Sequence, residues 1–139
     1  MNETWLYFLI VLMGGFAFKH FICDFLLQNG VMAKNKGILL HPGGVIHSAI
    51  HVVGSSILYG ILLLFSAPAT TALFGTFLLL LVAEFLIHYI TDFVKVNVTQ
   101  ELQVTFKDPM YWWLLGGDQL IHQLSYAFFI IVILAGITL

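Results

Sequence analysis

Four apolar stretches recur along this 139-residue chain, each near the ~20 residues that cross a bilayer core. A soluble bundle would need a polar face on each helix, and the material for four such faces is absent. Charged residues make up only 9% and hydrophobic ones 60%, whereas a soluble domain carries about a quarter charged residues. Hydropathy sets helices at roughly 4–28, 43–66, 70–97 and 111–138. The expected fold is all-α: a four-helix transmembrane bundle, with residues 1–139 forming one integral membrane domain. The breaks have local causes. Gln28-Asn29-Gly30 ends the first helix, Pro42-Gly43-Gly44 opens the second, Ser66-Ala67-Pro68 joins the second to the third, and Asp108-Pro109 precedes the fourth. The N-terminus, Met-Asn-Glu-Thr-Trp, lacks a positive leading region and a cleavage site, so the first helix is read as retained.

Charge placement orients the bundle. All five basic residues are lysines. Lys34 and Lys36 lie in the first loop, and Lys95 and Lys107 flank the third. The positive-inside rule then puts loops one and three in the cytoplasm and both termini outside. Tyr111-Trp112-Trp113 falls in the inner aromatic belt and Trp5 in the outer one. Net charge is -2 and no basic patch exists, which excludes a nucleic-acid partner. Cys23 is the only cysteine, so no intrachain disulfide can form. Val98 to Phe106 alternates apolar and polar residues, and is read as a solvated loop rather than an interfacial strand.

The chemistry lies in pairs of ionisable residues spaced i, i+4, one set per helix. Helix one has His20 and Asp24, helix two His47 and His51, helix three Glu84, His88 and Asp92, and helix four Asp118 and His122. Residues four apart share a helix face, so each helix offers a polar stripe. The sets fall at the end of helix one, the start of two, the end of three and the start of four. In an alternating bundle those ends share one side, within roughly 5–20 Å of the inner surface. The nine groups are therefore expected to converge in the cytoplasmic half.

Four of the nine are carboxylates, and each costs several kcal/mol inside a bilayer unless paired. Lys19 and Lys95 can neutralise two. One or two divalent transition ions would neutralise the rest and take imidazole as nitrogen ligand, zinc first, with manganese or iron as alternatives. Two competing readings stay open: a metal-free proton or ion relay, and interhelical hydrogen bonding that only locks the bundle. Lys19 lies about 100° from His20 on an ideal helix and is expected to snorkel away from the site. His41 is expected to be exposed, and Cys23 to be a small buried residue. Gly14-Gly15 and Gly116-Gly117 are expected to allow close helix approach.

These residues also carry a resemblance. Lys19-His20-Phe21 through Asp24-Phe25-Leu26-Leu27-Gln28, Met32-Ala33-Lys34, and His47 to His51 resemble a family of small bacterial inner-membrane proteins known only as a domain of unknown function. The match continues through His88-Tyr89-Ile90-Thr91-Asp92-Phe93-Val94-Lys95 and Asp118-Gln119-Leu120-Ile121-His122, covering nearly the whole chain. It implies a multi-pass protein of the inner membrane and supplies no activity. A looser similarity to membrane-bound metal-dependent hydrolases is an analogy.

The leading expectation is a metal-dependent membrane hydrolase in which a metal-activated water attacks a lipid or lipid-linked ester or phosphoester. The expected ligands are His20, Asp24, His47, His51, His88, Asp92, Asp118 and His122. Glu84 would be general base or an acceptor behind the ligands, and Lys95 would stabilise developing negative charge. The alternatives are a metal-ion or proton transporter, or a subunit of one, and a purely structural bundle. The apolar outer segments, Trp5 to Met13, Ile57 to Phe65, Leu73 to Val82 and Phe128 to Leu139, argue against a conduit through one chain, though a homo-oligomer could build one.

Overall fold

The structure is a computed structural model that describes residues 3–65 and 70–138, with side chains at 6–64 and 73–136. It is helical, with no strand among the described residues. Helix α1 spans Glu3–Phe21 and runs into a π-helical segment, Ile22–Leu27; α2 is Gly30–Asn35, α3 Pro42–Phe65, α4 Thr70–Glu101 and α5 Pro109–Thr138. Four helices are long and apolar enough to cross a membrane, over Leu6–Leu27, Pro42–Leu64, Leu73–Glu101 and Pro109–Gly136. The Ser66-Ala67-Pro68 connection and the Trp5 side chain lie outside the described residues.

The distribution of polarity is inside out. Leu64, Leu79 and Trp113 are 82%, 73% and 69% exposed, while His47, His51, Glu84 and His88 are at most 2% exposed. Apolar side chains on the outside need no water-facing partner in a bilayer, and interior polar groups must find theirs within the bundle. The half of the bundle away from α2 is closed by Leu12, Phe16, Tyr59, Leu62, Leu73, Phe77, Phe129, Ile130 and Ile133. The half toward α2, here the loop end, holds the ionisable residues.

Several local features depart from the sequence reading for identifiable reasons. Asn29 caps a short helix rather than only ending a long one: its Oδ1 accepts from the N–H groups of Val31 and Met32, each at 3.0 Å. Pro42 takes the first position of α3, where its missing N–H costs nothing. His41, half-buried rather than exposed, accepts from the Gly43 N–H at 2.9 Å through Nδ1. Helix α4 runs to Glu101, so Val98–Glu101 is helix and not loop. It stops at Gln103, whose φ of 54° is left-handed. The Gln103 N–H donates to the Gln100 carbonyl and the Val104 N–H to that of Thr99, at 3.1 and 3.2 Å. That is a Schellman stop built without glycine, so no glycine marks it in the sequence. In the last loop, Thr105 donates to Asp108 Oδ2 through its N–H and its hydroxyl, holding that carboxyl below the usual carboxylate range. Of the four glycines expected at close approaches, only Gly15 has one, with Leu58 Cδ2 at 3.1 Å from its ideal Cβ position; Gly14, Gly116 and Gly117 face open space.

Candidate metal centre

All nine ionisable residues on the four stripes lie in one connected polar cluster at the loop end. At its centre Asp24 Oδ1 lies 3.1 Å from His47 Nε2, 3.0 Å from His51 Nε2 and 4.0 Å from His88 Nε2. The Nε2 atoms of His47 and His88 are 3.0 Å apart. A tetrahedral shell with ligands at about 2.0–2.1 Å has ligand–ligand edges of about 3.3–3.4 Å, and these separations bracket that value. Asp24, His47, His51 and His88 form one set able to hold an ion, and His88, Asp92 and His122 form a second.

Proton counting separates this arrangement from an ordinary hydrogen-bond network. A ring nitrogen offers either one proton or one lone pair. His47 Nε2 faces His88 Nε2 at 3.0 Å, Asp24 Oδ1 at 3.1 Å and Asp92 Oδ2 at 3.3 Å, so one proton cannot satisfy all three. His122 Nε2 and Asp118 Oδ1 are 3.3 Å apart, yet both are buried without a hydrogen bond of proper geometry. His51 Nε2 and Asp24 Oδ1, and the Nε2 atoms of His47 and His88, keep hydrogen-bonding geometry at 3.0 Å, so it is the crowding of several acceptors on one ring nitrogen, and the unbonded His122–Asp118 pair, that resemble ligands gathered around a cation. The rings pack closely in this order: His51 lies tilted against His88 with centroids 3.7 Å apart, and His88 stacks on His122 at 4.1 Å.

The π-helical segment positions Asp24. Its wider turn alters the phase of the chain after Phe21, and such segments recur at functional sites. His20 lies outside both sets. Its Nε2 is 3.0 Å from Asp24 Oδ2 and 3.1 Å from Gln119 Oε1, and its Nδ1 is 3.1 Å from the Tyr126 hydroxyl. His20 thereby braces the Asp24 carboxylate from behind, as a partner to a ligand does. Asp118 also lies outside both sets, beside His122 and 3.0 Å from Lys95 Nζ.

Three lysines enter the cluster, where the sequence reading counted two and sent one of those outward. Lys19 is 6% exposed and does not snorkel. Its Nζ forms an ion pair with Glu84 and donates to the Tyr126 hydroxyl at 2.9 Å and the His51 carbonyl at 3.3 Å. The three oxygens match its three donors. Gly54 makes this path available, because a Cβ there would lie 2.6 Å from Lys19 Cγ. Lys36, read as a loop charge, is 5% exposed and lies 2.8 Å from Asp92 Oδ2. Its return is forced by the turn after α2. Gly37 presses against α4, where a Cβ would lie 2.7 Å from Val96 Cγ1, and Asn97 Nδ2 donates to the Gly37 carbonyl at 3.0 Å. Lys95 lies 3.0 Å from Asp118 and 3.6 Å from Asp92. Only the glycines at 37 and 54 hinted at these approaches, and a glycine alone does not say which side chain fills its space. Glu84 lies one helical turn before His88, with its carboxylate engaged by Lys19. Cys23 is buried, its Sγ 3.8 Å from the Ile50 carbonyl.

Comparisons with curated proteins and with solved structures return no match. Residues 9–139 do match a family, and with nearly the whole chain covered the protein belongs to that family, described as Protein of unknown function (DUF3307).

Proposed function

We propose that the chain is a metal-dependent hydrolase of the membrane, acting on a lipid or lipid-linked ester or phosphoester. The observation that carries this reading is the convergence of Asp24 Oδ1 with the Nε2 atoms of His47, His51 and His88 at 3.0–4.0 Å. Three imidazoles with one carboxylate suit zinc, with manganese or iron as alternatives. A cation held there supplies Lewis acidity and a water acidic enough to lose its proton near neutral pH. The chain supplies the rest. His20 fixes Asp24, and Lys36 and Lys95 hold Asp92 and Asp118 at the loop end. Asp118, whose Oδ1 lies unbonded beside His122, would serve as the proton acceptor. Lys95 stabilises negative charge growing on the substrate. Glu84 anchors Lys19 behind His51. Lysine placement puts this end of the bundle in the cytoplasm, within reach of inner-leaflet head groups. The apolar plug in the other half favours this reading over a transporter, which needs a polar path through the bilayer.

The test is elemental analysis of detergent-purified protein. We expect at least one transition metal per chain, lost on double replacement of His47 and His51 by alanine. Folded protein that is metal-free as isolated and takes up none on reconstitution would sink the proposal.

A further inference from the structure

Building on that metal centre, we infer that the site takes a phosphate-bearing anionic lipid, with its head group between Lys36 and Lys95 and its chain in the groove between α4 and α5. Two cavities meet at Lys95. One, of about 350 Å³, opens at the loop end and is lined by Gln28, Lys36, Lys95, Thr99, Gln100 and Tyr111. The other, of about 360 Å³, runs down the outer flank between α4 and α5, with walls of Ile90, Val94, Val98, Trp113, Leu114 and Ile121, and with Lys95 and Asp118 at its inner side. The first also has Ala33, Val96 and Leu115 in its wall, but it is the one that carries two lysines; a chamber with two ammonium groups and an apolar groove that share Lys95 are the two halves of a site for an amphiphile.

Charge gives the sign of the head group. Asp24, Glu84, Asp92 and Asp118 face Lys19, Lys36 and Lys95. With neutral imidazoles this leaves one net negative charge, and a single divalent cation reverses it to one net positive. The loaded site therefore calls for an anion. Lys36 Nζ meets only Asp92 among the described residues, and Lys95 Nζ meets Asp92 and Asp118, so each ammonium keeps a donor to offer. The groove between α1 and α3 is larger, about 530 Å³, but its lysine, Lys19, already has its three donors engaged. It offers nothing to a phosphate.

Trp113 lines the proposed groove and reports on it directly. In a Trp5→Phe/Trp112→Phe background, quenching of Trp113 is compared in phosphatidylcholine vesicles carrying an equal small fraction of acyl-brominated phosphatidic acid or acyl-brominated phosphatidylcholine. We expect about tenfold tighter association of the anionic lipid, not reversed by inorganic phosphate. Lys36→Gln should abolish the preference. Gly117→Leu should do so as well without touching the cluster, because the position lines the groove and faces open space; it decides the matter if Lys36→Gln fails to fold. Equal quenching by the two lipids overturns the inference. So does a preference unchanged in Gly117→Leu, which would mark general surface attraction, and so does reversal by inorganic phosphate, which would mark a site for the free ion. Metal analysis of the same sample separates the two proposals. Metal-loaded protein without the preference overturns the lipid site alone. Metal-free protein with the preference intact overturns the metal centre and the charge count built on it, and leaves Lys36 and Lys95 alone as what the phosphate meets.

Discussion

Replacing Lys19 by methionine removes one charge from a place where water cannot substitute for it. Lys19 and Glu84 are 6% and 2% exposed, and Glu84 Oε2 has no hydrogen-bond partner among the described residues. Lys19 is therefore what neutralises Glu84. Stranding one member of a buried ion pair costs about 3–5 kcal/mol, whereas removing both members together is often close to neutral. Lys19→Met should thus raise the unfolding equilibrium constant by roughly two to three and a half decades. Glu84→Gln should also destabilise, because it strands the ammonium. The double variant Lys19→Met/Glu84→Gln should recover most of the loss, giving an interaction energy of about 2–4 kcal/mol in a double-mutant cycle. The assay is reversible unfolding in mixed micelles followed by far-ultraviolet circular dichroism, with metal content measured on each variant. Neither residue belongs to a ligand set, so folded double variant should keep its metal. Additive single effects would refute the pairing, and metal loss from the folded double variant would refute the separation of this pair from the ligands.

Other consequences follow from the same geometry. Gly54→Ala places a methyl 2.6 Å from Lys19 Cγ and 2.8 Å from Cδ; overpacking of this kind costs about 1–3 kcal/mol, and Lys19→Met, with its shorter and more adaptable side chain, should relieve part of it in the double variant. Asp92→Asn should lower metal content while His41→Ala should not, as read by elemental analysis of both. Cysteines at positions 35 and 103, in a Cys23→Ser background, should react with a membrane-impermeant thiol reagent from the cytoplasmic side and one at position 69 from the other; labelling of 35 and 103 from opposite sides would break the four-helix arrangement.

The helices and the convergence of their stripes were legible because both rest on periodicity. A 20-residue apolar run has one economical conformation in a bilayer, and i, i+4 pairs at matching depth must face one another once the chain alternates. What escaped the sequence rests on departures from ideal helices and on long, flexible side chains. The π-helical segment at Ile22–Leu27 re-phases Asp24 against His20, so two residues four apart take different roles. Lys19 turns inward because Gly54 leaves room for its stem, a coincidence across two helices that no single helix reveals. Lys36 belongs to a loop by sequence and to the cluster by the docking of Gly37 on α4. The extra lysine also weakens the count from which the metal was first argued, since three ammonium groups nearly balance four carboxylates. The metal reading now stands on geometry, on ligand atoms that share one centre and too few protons to bond them to each other.

X-ray absorption at the metal edge of the purified protein tests that centre most directly. The expected result is a shell of nitrogen and oxygen ligands at about 2.0–2.1 Å, with the multiple-scattering signature of imidazole that weakens in the His47→Ala/His51→Ala variant. A shell dominated by sulfur at about 2.3 Å, or imidazole scattering unchanged in that variant, would contradict it.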